Sequence, residues 1–396
     1  MHQLGVCFCK CLPCKLILFS VFVPPFFKNN QMKKIKSLAN VFFASLLAIS
    51  SVGNSFACTA LMIMDKSGNA YQARTNEMSV KLPTSLTYIP AGEKVQSFTP
   101  AGGVGKNFKT LYPILGMTMG GTLPNVPGKD HLIFLDGVND QGLSLSANEF
   151  DNSKAPPLSG DSSKTLMATE LAHWILGSFK SVAEAKDALL SNQVEIWLPV
   201  VPGFNAPLPL HYALFDKTGA GIVIEFANGK LNVYDNLVGV MTNGPEFPWH
   251  ITNMNNYSQL SNIDRDENQF NKLKVRSPDD GNGTSGLPST STSPGRFVKA
   301  AYYSNYVTKA DNPDQAIINL SHVMANFDRP TGVNKEVTNW IVMNDLNRHR
   351  FYTRSIDSLN WVVIDFAQLK GVTQIKSVSN YEIDKTKADA FTLFLK

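Results

Sequence analysis

The junction Asn54-Ser55-Phe56-Ala57-Cys58-Thr59-Ala60 constrains this chain more than any other stretch. An apolar leader ends there, and Cys58 is the one cysteine in everything that follows it. Cleavage after Ala57 would make Cys58 the first residue, with its thiol beside a free α-amino group. A thiol has an ordinary pKa of about 8.5 and an α-amine one of about 7.7 to 8.0, so the amine can take the thiol proton near neutral pH without a histidine.

The leader has two parts. Met32 is followed by Lys33, Lys34 and Lys36, by the mostly apolar run Leu38 to Val52, and by the small residues Ser55 and Ala57, the pattern of a secretory signal peptide over 32–57. The apolar run falls short of the roughly 20 residues that span a bilayer, so no stable membrane span is expected after processing. The product is then periplasmic or secreted. Residues 1–31 read as an upstream mis-start, and Cys7, Cys9, Cys11 and Cys14, which have no second ligand cluster to join, read as part of it. A rival reading acylates Cys58 and makes the protein a non-catalytic lipoprotein. Such signals usually place Leu three residues before the cysteine, where this chain has Ser55.

The remaining stretch, 58–396, carries no Ser/Gly linker or charge run and is expected to form one catalytic domain. Residues 1–57 hold six lysines and no acid, so setting them aside turns a formal charge of +4 into −2. Nucleic-acid binding thereby loses its basic face. With one cysteine there is no internal disulfide, and stability must come from a core.

Thr59 to Met64, the turn Asp65-Lys66-Ser67-Gly68-Asn69 and Ala70 to Arg74 predict a β-hairpin that returns Arg74 to Cys58. A second hairpin is predicted from His131–Leu135 to Leu143–Ser146. Lys164 to Leu176 has helical spacing, with His173 on it as a core or surface residue, and Ser181-Val182-Ala183-Glu184 opens a second helix as a capping box. Pro207–Phe215, Gly221–Phe226, Leu231–Tyr234 and Val238–Thr242 predict a four-stranded antiparallel meander. Helices from Arg296 towards Tyr306 and from Asp314 to Phe327 follow, then strands at Trp340–Met343, Arg350–Thr353 and Trp361–Ile364. Strands, helices and strands again predict an α+β fold of two antiparallel sheets covered by helices. Lys272 to Pro294, rich in Ser, Thr, Gly, Asp and Pro, is expected to be a long functional loop.

The usual catalytic signatures are absent: there is no Gly-x-Ser-x-Gly, no His-Glu-x-x-His, and no Cys-x-x-Cys after the leader. Gly102-Gly103-Val104-Gly105-Lys106 fails the phosphate-loop spacing. The six histidines after the leader are scattered singly, so no metal is expected.

What is left is Cys58 and four ordered runs: Cys58-Thr59-Ala60, Arg74-Thr75-Asn76-Glu77, Thr242-Asn243-Gly244-Pro245-Glu246-Phe247 and Ser293-Pro294-Gly295-Arg296-Phe297-Val298. With Asp136-Gly137-Val138-Asn139-Asp140-Gln141-Gly142-Leu143 and Tyr234-Asp235-Asn236, they resemble, in order and spacing, the choloylglycine hydrolase and penicillin V acylase family. The resemblance implies an N-terminal nucleophile hydrolase with a four-layer αββα sandwich of two antiparallel sheets, acting on a small-molecule amide without cofactor, and a homotetramer. It makes Cys58 the nucleophile, Arg74 the charge that favours thiolate, Glu77 the carboxylate that holds the α-amine in place of an aspartate, and Arg296 a further site arginine. Asn243 would donate to the oxyanion, together with a backbone N–H of Glu149 or Asn148. The same site could serve lactone or ceramide cleavage. The apolar stretches Met78–Thr87, Trp197–Leu210 and Pro245–Trp249 are expected to line the acyl pocket. They rank penicillin V or another N-acyl amide ahead of conjugated bile salts, with N-acyl homoserine lactones as a further alternative.

Overall fold

The computed structural model describes residues 56–124, 126–128, 131–201, 207–385 and 391–395. The expectations for the mis-start at 1–31 and for the signal peptide up to Ser55 lie outside the described residues.

Strands β1 (Phe56–Met64) and β2 (Ala70–Met78) form the predicted hairpin, longer at its open end than expected. Its turn is closed by Asp65, whose carboxylate accepts from the N–H groups of Ser67 and Asn69 and from the Tyr71 hydroxyl. The Ala57–Cys58 bond lies inside β1, with Ala57 opposite Glu77 and Cys58 opposite Asn76. All nine residues of β2 are buried, because its sheet is covered on both faces.

Two antiparallel sheets make the centre. The eight-stranded sheet holds β3 (Thr84–Ile89), β4 (Ile114–Gly121), β5 (His131–Asn139), β6 (Leu143–Glu149), β7 (Leu210–Asp216), β8 (Gly221–Ala227), β9 (Lys230–Asp235) and β14 (Lys376–Ser379). Their order across the sheet is β9-β8-β7-β6-β5-β4-β3-β14. The β5–β6 turn needs Gly142, which sits at φ +80° while Asn139 Oδ1 accepts from the N–H groups of Gln141 and Leu143. The six-stranded sheet runs β10-β1-β2-β11-β12-β13, with β10 at Val240–Met241, β11 at Val337–Asp345, β12 at Arg350–Ser355 and β13 at Val362–Asp365.

Helices α1 (Ala168–Ser178) and α2 (Val182–Leu190) pack on the eight-stranded sheet, and α4 (Ser293–Tyr306) and α5 (Pro313–Ala325) pack on the six-stranded one. The short α3 (Phe247–Asn253) lies between α2 and α4 in sequence. With β1 packed against β6, the layers are helices, sheet, sheet, helices, the expected αββα sandwich. Among the described residues no helix is long and apolar enough to cross a membrane.

Three expectations are corrected. The expected meander has three strands in one sheet, because the fourth, β10, crosses to pair with β1: Asn236 exchanges side-chain hydrogen bonds with Val240 N–H and C=O and turns the chain across. The helix expected from Lys164 starts at Ala168, since Thr165–Met167 pairs in parallel with Glu195–Trp197 and the Met167 N–H donates to Ser97 Oγ. In the expected capping box Ser181 does accept from the Glu184 N–H, but Glu184 reaches back to Lys180 N–H instead of to Ser181.

Candidate active site

Cys58 sits near the start of β1, facing the eight-stranded sheet, and is 1% exposed. Residues on one face of a strand recur every second position, so β2 puts Arg74 and Asn76 on the thiol side and Thr75 and Glu77 on the other. Arg74 Nη2 lies 3.2 Å from Cys58 Sγ and donates to the Ala147 carbonyl at 2.6 Å, while its Nε donates to Asn148 Oδ1 at 3.0 Å. The guanidinium also lies 4.9 Å from the centre of the Trp340 ring. Its position is therefore set from three sides. Asn76 Nδ2 is 3.8 Å from the same sulfur.

The amine side of Cys58 is built by the crossing strand. The Cys58 N–H, an amide while Ala57 is attached, donates to Asn243 Oδ1 at 2.9 Å, and Arg296 Nη2 donates to that same oxygen at 2.6 Å. Arg296 Nη1 donates to the Cys58 carbonyl and, at 2.9 Å, to Thr59 Oγ1. One proton of Asn243 Nδ2 goes to the Glu149 carbonyl at 2.9 Å. Cys58, Arg74, Asn243 and Arg296, drawn from three widely separated segments, are thus brought together.

Glu77 is placed differently from expectation. It is fully buried on the far face of β2, and among the described residues its carboxylate oxygens have no hydrogen-bond partner; the acceptor for Cys58 N is Asn243. Burial pushes its pKa up to about 7 against the pull of Arg296 and Arg329. The thiol follows the same balance. Burial raises the Cys58 pKa above its ordinary value, Arg74 and Arg296 pull it down, and Glu77 adds to the rise. Arg296 itself is pushed down to about 10 by burial, with Glu77 opposing.

Two spaces open on either side of Cys58. Beside the sulfur is a pocket of about 20 Å³ walled by Arg74, Asn76, Met119, Ile133, Leu135, Ala147, Glu149, Leu208 and Leu210. On the amine side is a cleft of about 680 Å³ lined among others by Asn243, Pro245, Ser291, Arg296, Arg329 and Glu336. Glu149 borders both spaces and Asn148 neither. The expected acyl lining is corrected in part. Leu208 and Leu210 contribute, but Met119, Ile133 and Leu135 replace Met78–Thr87, because residues 84–89 form β3, three strands away from β6. Pro245 belongs to the polar cleft. The long loop before α4 does reach the site: Ser291 O accepts from Arg296 Nε and Arg329 Nη2.

Sequence reasoning missed a buried support behind Asn243. His211 on β7 and Glu225 on β8 meet at 3.1 Å, His211 Nε2 lies 3.0 Å from the Thr242 carbonyl, and Asn148 Nδ2 donates to that carbonyl at 2.7 Å. The His211 ring stacks on Phe150, at 5.0 Å between centres and 10° between planes. His250 Nε2 is 2.9 Å from the Asn243 carbonyl. The available signal was a carboxylate in the middle of the apolar strand Ile222-Val223-Ile224-Glu225-Phe226, since such a group needs a buried partner. His173, by contrast, is a core residue between Phe108 and Phe134, with its pKa pushed down to about 4 by burial.

Residues 58–378 match the family described as linear amide C–N hydrolases, choloylglycine hydrolase family. A bile salt hydrolase/transferase of Clostridium perfringens is 29% identical over 282 residues, covering 71% of this chain and 82% of that protein. A penicillin V acylase of Pectobacterium atrosepticum is 23% identical over 389 residues, covering 92% of this chain and 95% of the other. Among solved structures, a conjugated bile acid hydrolase from Clostridium perfringens superposes with a TM-score of 0.69 at 25% identity, over 84% of this chain and 98% of its own. Penicillin V acylase from Agrobacterium tumefaciens shares the fold, with a TM-score of 0.67 at 22% identity over 85% and 96% of the two chains. The length of the family match places this chain in the choloylglycine hydrolase family of linear amide C–N hydrolases.

Proposed function

We propose that the chain is a cysteine-type N-terminal nucleophile hydrolase, active once it begins at Cys58, that cleaves linear amides with an apolar acyl group. The observation that carries this reading is the two-sided setting of Cys58. Arg74 lies 3.2 Å from its sulfur while Asn243 takes its nitrogen, so nucleophile and base are held separately within one residue.

The freed α-amine takes the thiol proton, and the thiolate sulfur attacks the amide carbon. The oxyanion is stabilised by the second Nδ2 proton of Asn243 and by the backbone N–H of Glu149, a contribution of about 3 to 4 kcal/mol per donor at comparable sites. The α-ammonium passes its proton to the departing amine as the C–N bond breaks. Water, deprotonated by the same amine, then hydrolyses the thioester and restores the thiol.

The division of the substrate follows from the two spaces. The sulfur faces Met119, Ile133, Leu135, Leu208 and Leu210, which suits the first carbons of an apolar acyl group. The amine side carries Arg296 and Arg329 together with Glu149, Asp151 and Glu336, with Arg329 paired to Glu336, which suits a polar leaving amine. Penicillin V and glycine- or taurine-conjugated bile salts both meet these two requirements. The bile salt hydrolase relatives therefore put conjugated bile salts level with the penicillin V favoured by the composition of the loops.

The test is one panel: protein beginning at Cys58, protein retaining residues before it, and Cys58→Ala, each assayed with penicillin V, glycocholate, taurocholate and long-chain N-acyl homoserine lactones. Turnover confined to the protein that begins at Cys58 is expected. Turnover by Cys58→Ala, or none by the processed protein, would overturn the reading.

A further inference from the structure

Asn76 stands directly across from Cys58 in the β1–β2 register and is 1% exposed. Its Nδ2 is 3.8 Å from the thiol sulfur, and among the described residues its Oδ1 is buried with no hydrogen-bond partner. A buried carbonyl oxygen left unpaired is costly, because it gives up water without gaining a donor. Arg74 Nη1 is in the same condition, a buried donor without an acceptor on the same face of β2. Both residues wall the small pocket at the sulfur, where Met119, Ile133, Leu135, Ala147, Leu208 and Leu210 offer no hydrogen bond and Glu149 stands at the border with the larger cleft.

Resting on the function proposed above, we infer that Asn76 is a specificity-determining residue that selects acyl groups bearing a hydroxyl on the first or second carbon beyond the scissile carbonyl. In the thioester the acyl carbon is bonded to Sγ, so those two carbons lie in the same small volume as the Asn76 amide. At about 20 Å³ the pocket has room for little more than the atoms next to the carbonyl, so it can read substitution there and not further along the chain. The polarity of the two orphans fixes the group. Asn76 Oδ1 asks for a donor and Arg74 Nη1 for an acceptor, and a hydroxyl is both. A protonated amine supplies the donor but sets a cation beside Arg74, and an ether supplies no donor at all.

The experiment compares N-decanoylglycine with N-(3-hydroxydecanoyl)glycine and N-(2-hydroxydecanoyl)glycine, using wild type and Asn76→Leu, both beginning at Cys58. Wild type is expected to favour at least one hydroxylated substrate about tenfold or more in kcat/KM, because the unsubstituted chain leaves buried polar groups unpaired. Asn76→Leu, of similar volume and without polar atoms, is expected to lose that preference. Equal rates for all three substrates by wild type, or an unchanged preference in Asn76→Leu, overturn this inference alone. Failure of the processed wild type to cleave any of them overturns the proposed function and this inference with it.

Discussion

Arg74 Nη2 and Cys58 Sγ lie 3.2 Å apart where Cys58 is 1% exposed, so the thiol is governed by two opposed effects. Burial raises its pKa and the guanidinium lowers it, with burial the larger. Replacing Arg74 by Gln leaves burial unopposed on that side. The apparent pKa of Cys58 should then rise further, and alkylation of the thiol near pH 8 should slow by about tenfold for each unit of rise. Alkylation rates against pH measure this directly, and superimposable profiles for wild type and Arg74→Gln would remove the arginine from thiol activation.

Asn243 makes two contacts that substitution can separate. Its Oδ1 accepts from Cys58 N and its Nδ2 faces the site beside Glu149. Asn243→Ala should lower acylation by about 10² to 10³ through loss of the oxyanion donor. Asn243→Asp retains the acceptor and should lose a comparable factor. Pre-steady-state acylation with a chromogenic amide resolves the two; full acylation in Asn243→Asp would show that the side chain serves the amine and not the oxyanion.

His211 joins the two segments that carry the proposed oxyanion donors, through the Thr242 carbonyl on one side and the Phe150 ring on the other. It is a positioning residue. His211→Phe should lower kcat about tenfold with KM and the thiol alkylation profile unchanged, whereas His211→Gln, which restores a donor towards Thr242, should recover most of the rate. A loss of kcat in step with thermal stability in both variants would reduce His211 to a core residue.

Glu170 allows a test of stability against pH away from the chemistry. Burial in α1 pushes its pKa up to about 7 despite a hydrogen bond from Ser97, so the folded state holds a proton that the unfolded state releases at lower pH. A raised folded pKa contributes stability that is present below the unfolded value near 4.5 and is lost as pH rises through about 7. The wild type should therefore lose stability on this account between about pH 5 and pH 8, on the order of 3 kcal/mol if the carboxylate must ionise in place. Glu170→Gln should abolish that part, gaining several degrees in Tm relative to wild type at the upper end. Parallel pH curves for the two proteins would show that Glu170 is not buried as described.

Much of this protein was legible in its sequence because the information is local. The β1–β2 hairpin and the return of Arg74 to Cys58 depend on turn residues and on the two-residue period of a strand, and they form as read. The site residues were legible as an ordered set only through family resemblance, since by type alone Asn243 and Arg296 are ordinary. Tertiary structure decided the rest. Only the crossing of β10 from one sheet to the other sets Asn243 against Cys58 N, because strand pairing is chosen by long-range packing and a meander signal does not say which sheet receives its last strand. Only the packing of the two sheets faces Asn76 and Arg74 towards Ile133, Leu135 and Leu208, and leaves Glu77 on the opposite face with Arg296 and Arg329. Whether a buried polar group finds a partner depends on what arrives from elsewhere in the chain, and a linear sequence carries no direct record of that.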